Sequence, residues 1–119
     1  MDLWQLPDHI PVILEESLED RFMGSEALYV RFLKKFAAAG GFNELCECIK
    51  AQDYKEAERR AHNLKGVSAN LGLSALEKGF ARIVTQLRSG SVRQKELEAS
   101  MKVLRPEWDK TLRWIGELD

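Results

Sequence analysis

The chain has 119 residues, 45% hydrophobic and 31% charged, with a formal net charge of −1. That length supports one domain, 1–119, with a real core, and the near-neutral balance leaves no electrostatic footprint for nucleic acid or an anionic membrane. No apolar run approaches a membrane span, and Asp2 comes early with no basic-then-apolar signal pattern after it. Cys46 and Cys48 are too close for a comfortable disulfide, so the expected compartment is the cytoplasm.

Residues 1–17 read as a lead-in ending in a short helix. Pro7 and Pro11 make its first part irregular, with Trp4, Leu6 and Ile10 free to pack across one end of the domain and His9 exposed. Ile13, Leu14, Leu18 and Phe22 predict a short helix over Val12–Phe22, ended by Gly24. Ser25 is a good N-cap, with Glu26 well placed for the helix dipole. The helix it opens runs to about Ala39, buries Leu28, Tyr29, Phe32, Leu33 and Phe36, and stops at Gly40-Gly41. A third helix spans Phe42–Ala51 and buries Phe42, Leu45, Cys48 and Ile49. Asp53 with Glu56 forms a capping box for the next helix, which ends at Gly72 as a C′ glycine. Ser74 with Glu77 is a second box, opening a helix with Leu76, Phe80, Ile83 and Leu87 inside, closed by Gly90. Ser91 with Gln94 is a third. The last helix carries Leu97, Met101, Leu104, Trp108, Thr111 or Leu112, Ile115 and Leu118 at heptad-like spacing. Pro106 falls inside that pattern and predicts a kink, because its ring removes the hydrogen bond to the Lys102 carbonyl. With no strand alternation anywhere, the expected fold is all-α. It is an antiparallel up-down-up-down four-helix bundle with one or two short extra N-terminal helices.

The chemistry concentrates in Ala61-His62-Asn63-Leu64-Lys65-Gly66-Val67-Ser68-Ala69-Asn70-Leu71-Gly72. Tyr54, Ala57, Ala61, Leu64, Ser68 and Leu71 recur at steps of three and four, which makes one small or apolar stripe on a helix. At about 100° per residue, His62 lies roughly 130° from the centre of that stripe, with Glu58, Arg59, Lys65, Gly66 and Ala69 within about 60° of it. A histidine serving the core would sit on the stripe, so His62 is expected in water. A free imidazole titrates near pH 6.5 (about) and is largely neutral and nucleophilic at cell pH. Lys65, one turn on, can reach a negative group placed on the ring. Gly66, at i+4, leaves the approach open, and a mid-helix glycine costs about 1 kcal/mol against alanine, which favours a reason for its presence. A nucleophile, a cation and open access suit covalent phosphoryl transfer.

His62-x-Leu64-Lys65-Gly66 followed by Leu71-Gly72 resembles the signature of histidine-containing phosphotransfer (HPt) domains. The resemblance extends from about Leu18 to Ile115. Upstream, Glu19-Asp20-Arg21-Phe22-Met23-Gly24, Leu28-Tyr29 and Phe32-Leu33 look like that family's entry into its bundle. The resemblance implies that His62 accepts a phosphoryl group from a phospho-aspartate in a response-regulator receiver domain and passes it to another receiver. It further implies that Lys65 stabilises the phosphoryl group and that Mg²⁺ sits on the receiver alone, so this chain has no cofactor of its own. Hybrid sensor histidine kinases are the implied upstream partners, with the domain a monomer, either free-standing or the cytoplasmic C-terminal part of a membrane-bound kinase. Arg59, Asn63, Ala69 and Asn70 are the expected contact rim. The family's next helix can supply a polar residue to orient the imidazole; here Arg82 and Gln86 are both candidates.

Other readings remain. The same face could bind a partner without chemistry, leaving His62 incidental. An enzymatic reading has little to rest on: there is no Gly-rich nucleotide loop, no acidic constellation for metal or ATP, and no second catalytic group near His62, so no autonomous kinase activity is expected. Cys46 and Cys48, at i and i+2, project from opposite sides of a helix with no second Cys or His pair after them, so no metal site is expected. The Glu15-Glu16 and Arg59-Arg60 pairs read as solvated helix faces, and Trp4, Trp108 and Trp114 as core or rim packing.

Overall fold

Local capping and apolar spacing between them set five helices, seen in a computed structural model that describes residues 25–118: α1 (Glu26–Ala39), α2 (Phe42–Lys50), α3 (Tyr54–Asn70), α4 (Ser74–Arg88) and α5 (Gln94–Glu117). The expectations for Trp4, Leu6, His9, Ile10 and the Val12–Phe22 helix fall outside the described residues. The Ser25 hydroxyl accepts from the Leu28 amide at 3.1 Å and opens α1. Gly40 and Gly41 then turn the chain at φ 65° and 111°. Such angles strain any residue with a Cβ, and a Cβ on Gly41 would also press to 3.2 Å from Leu64 Cδ2.

α3 is defined at both ends. The Asp53 carboxylate accepts from the Glu56 amide at 3.3 Å. The reciprocal half of the expected box is absent, because the Asp53 amide donates to the Cys48 carbonyl and the Glu56 carboxylate is taken by Arg59 and Arg60. At the other end Leu73 N–H reaches Ser68 O at 2.9 Å and Gly72 N–H reaches Ala69 O at 3.1 Å, the paired bonds of a Schellman motif. Gly72 takes φ 71° there. The buried phenol of Tyr29 donates to the Leu71 carbonyl at 2.5 Å and straps α1 to this turn.

The other two expected caps are corrected. α4 begins at Ser74 itself, with Leu73 in the cap position and no side-chain cap. α5 begins at Gln94 after Arg93, again without one. Gln94 is engaged elsewhere: its Oε1 accepts from Tyr54 Oη at 2.6 Å, and its Nε2 donates to the Ile49 carbonyl at 2.8 Å and to Glu98 at 3.1 Å. α5 continues as one helix across Pro106.

The core gathers around Trp108 of α5. Phe42 stacks on its ring at 5.4 Å, while Phe36 at 5.4 Å and Phe80 at 6.2 Å meet it edge-on. Burial of this kind contributes about 1.5–3 kcal/mol per large apolar side chain. Of the two alternatives in α5, Thr111 takes the buried position, its hydroxyl satisfied by the Glu107 carbonyl at 2.7 Å, and Leu112 is half-buried. Three expected core members stand further out: Phe32 is 41% exposed, and Leu28 and Cys48 are half-buried. α3 packs most extensively on α4 and also against α2, while α5 packs on α4, α1 and α2. Alanines at 57 and 61 on the buried face of α3 let the neighbouring helix come close.

Candidate functional site

The buried face of α3 is Ala57, Ala61, Leu64 and Ser68, and the residues between them are turned outward by the helical period. His62 is exposed. Among the described residues none hydrogen-bonds to its imidazole or pairs with it, so both ring nitrogens face solvent chemistry. Lys65 is half-buried one turn on and forms no ion pair with a described residue. Gly66 is exposed, and a Cβ built on it meets nothing within 4 Å. The glycine therefore answers no packing demand inside the domain, and the space beside the ring is open.

Arg59 and Arg60 precede His62 on α3 by three and two residues, both held by one carboxylate. Arg59 meets Glu56 through two nitrogens, at 2.5 and 3.0 Å, and Arg60 Nε lies 3.2 Å from the same group. Hydrogen bonds from Arg59, with the charges of both arginines, hold the Glu56 carboxyl below the usual carboxylate range. The pairing raises Arg59 in turn. The pair is solvent-exposed and fixes where the arginines sit more than it stabilises the fold.

Asn63 lines a recess of about 210 Å³ between Gly40-Gly41 and Arg59-Arg60. Asn70 lines a larger groove of about 520 Å³ with Phe32, Lys35, Phe36, Ala39, Val67 and Leu71. Ala39 belongs to both, so the two depressions adjoin along the α1 side of α3. The Lys35 ammonium lies 5.4 Å from the Phe32 ring centroid at the groove's lip. Ala69 is half-buried. Sequence reasoning placed Phe32 inside; its position on the apolar stripe of α1 gave no signal of how far that stripe overhangs α3.

The two candidates for orienting the imidazole both stand on α4. Arg82 lines a crevice between α4 and α5 with Gly79, Ser100, Leu104 and Glu107. Gln86, one turn further along the same side, is half-buried, with its Oε1 shielded and without a hydrogen-bond partner. Neither is joined to His62 by a hydrogen bond. At the end of α4, Arg88 pairs with Glu58, four residues before His62 on α3.

Among the described residues no group of three or more His, Cys, Asp or Glu could hold a metal ion. Cys46 and Cys48 are free thiols. Burial pushes the Cys46 thiol up, against the pull of the Arg105 guanidinium 3.7 Å away. No described helix is long and apolar enough to cross a membrane.

A family model of the Hpt domain matches residues 14–115. This chain belongs to the Hpt domain family. No curated protein and no solved structure matches it. As an Hpt domain it is a histidine phosphotransfer module of phosphorelays, a family that works with receiver domains and has no kinase activity of its own. Within this Hpt domain, the matched segment contains all of α1 to α4, the His62 stretch, and α5 as far as Ile115.

Proposed function

We propose that His62 is the phosphoacceptor and that this domain relays a phosphoryl group between two receiver domains in the cytoplasm. The observation that carries the proposal is an exposed, unpaired imidazole on a rigid helix, with a cation one turn on and an empty flank at Gly66. The lone pair of the unprotonated ring nitrogen forms the N–P bond as the O–P bond to the donor aspartate breaks. The electron pair of that bond leaves with the carboxylate. Transfer onward reverses these steps at a second aspartate. Lys65 faces the phosphoryl oxygens and offsets their charge. Any Mg²⁺ would be held by the receiver's own residues and would there supply charge to offset the phosphoryl group. Arg59, Asn63, Ala69 and Asn70 border the docked receiver, and a hybrid sensor kinase supplies the phosphoryl group upstream.

The test is phosphoryl transfer from a panel of phosphorylated receiver domains, read by intact mass, with His62→Gln beside the wild type. Label is expected on the wild type alone, acid-labile and base-stable, with both proteins giving the same helical circular dichroism. Label on a folded His62→Gln would move the acceptor elsewhere. No label from a broad panel would leave a docking module without chemistry.

A further inference from the structure

Among the described residues, the ion pairs at Glu56, Glu96 and Glu107 all close locally, within a helix or between it and its own N-cap residue. One pair joins two helices: Arg88 Nε, on the last residue of α4, meets Glu58 Oε1 of α3. Both side chains are partly exposed, at 55% and 34%. Glu58 lies four residues before His62, and side chains at that spacing are neighbours on a helix surface, about 5–6 Å apart at Cβ. It is the one carboxylate within a turn of His62 on its own helix.

A carboxylate so placed is a hazard to a phosphoacceptor. It favours the protonated ring, which has no lone pair to attack with, and it repels the incoming phosphoryl oxygens. The remaining charges around the ring do not cancel it. On α3, Arg59 is occupied by Glu56, Lys65 lies on the opposite side of His62, and Lys55 is two turns away. On α2, the Cys48 thiol is a neighbour of Arg59. From α1, Lys35 lies across the groove. From α4, Glu77 sits in the first turn, at the far end from Arg88, and Arg82 lines the crevice toward α5. Arg88 alone meets the Glu58 carboxylate.

We propose that Arg88 is a positioning residue for the phosphoacceptor: it holds the Glu58 carboxylate against the end of α4, so that this charge stays paired and turned from the His62 ring. The inference rests on His62 being the acceptor. Near the C-terminus of α4 the helix dipole also favours the arginine's charge, which anchors the latch on the α4 side.

The test compares wild type with Arg88→Gln, Glu58→Gln, the double variant and Arg88→Lys at low salt, where exposed charges are least screened. The His62 ring is titrated by NMR, its signal assigned against His62→Gln. A bare unit charge about 6 Å away in water shifts an equilibrium by roughly threefold, or about half a unit in a titration midpoint. Arg88→Gln is expected to raise the midpoint by about that much and to slow transfer roughly twofold or more. The double variant should lose the rise, and Arg88→Lys should restore most of the wild-type value. Circular dichroism confirms the fold, and a merely structural role for Arg88 would not be undone by Glu58→Gln. An unmoved midpoint in Arg88→Gln, or an equal rise with and without Glu58, overturns the latch. Because the titration needs no receiver, the two readings fail separately. Absent transfer to the wild type sinks the phosphotransfer reading, whereas normal transfer with an unmoved midpoint sinks only the latch.

Discussion

Gly66 and Gly79 each stand inside a helix, on adjacent helices, and each carries the same backbone penalty of about 1 kcal/mol relative to alanine. Their surroundings are opposite. A Cβ on Gly66 meets nothing within 4 Å, whereas one on Gly79 would lie 2.2 Å from Leu104 Cδ1 and 3.1 Å from two further atoms of that side chain. Leu104 is buried, so its side chain must shift out of its packed position to admit that atom. Gly79 exists so that α5 can approach α4. Gly66 exists, on the proposed function, so that something outside the domain can approach His62. Identical residues in identical secondary structure thus answer to packing in one case and to access in the other.

The comparison can be broken at its strongest point by Gly79→Ala. Overpacking of a buried contact costs about 1–3 kcal/mol, so urea unfolding should show a clear loss of stability, and the same substitution should cost less when made in a Leu104→Ala background. A Gly79→Ala protein as stable as wild type would show that the helices part freely. At Gly66 a bulky substitution should do the reverse. Gly66→Gln is expected to slow phosphoryl transfer from a receiver by about tenfold or more, equivalent to about 1.4 kcal/mol of barrier, with unfolding midpoints no lower than wild type. Equal transfer rates would remove access as the reason for the glycine. Gly66→Ala sharpens the contrast, since the missing clash leaves only the propensity gain: stability should rise by up to about 1 kcal/mol.

The smallest effect belongs to the Glu56 cluster, almost three turns before that glycine on the same helix. Glu56 titrates lower in the folded chain than it would unfolded. Any stability it lends is therefore present above its unfolded value and lost as pH falls through the lower folded one. Because the pair is exposed, acid unfolding curves of Glu56→Gln and wild type should nearly coincide. A large difference would show that surface charge, rather than the open space at Gly66, governs this face.

What could be read in the sequence follows from range. The α3 stripe, the solvent position of His62 and the C′ role of Gly72 depend on residues within a turn or two, and periodicity reports them well. Gly79 was invisible because its reason lies in Leu104, on another helix. Phe32 misled for a related reason: the period marks the apolar side of α1 and is silent on where its neighbour ends. Ser74 and Ser91 have capping chemistry one or more residues from where the helices begin, because the Schellman turn fixes the start of α4 and the Gln94 amide is drawn into contacts with two other helices. Arg82 and Gln86 illustrate the same limit. The resemblance left both open as partners of the imidazole, and the side of α4 that each occupies depends on how that helix rolls against α5.

The side chain of Gln94 has a consequence for motion. A single amide engages the last turn of α2 through the Ile49 carbonyl, the first turn of α3 through Tyr54 and the first turn of α5 through its own backbone. Helix ends normally fray independently and exchange their amide hydrogens early. Here three ends share one clasp, so opening any of them strips a partner from the others. Their exchange should slow and quicken together, as one cooperative unit.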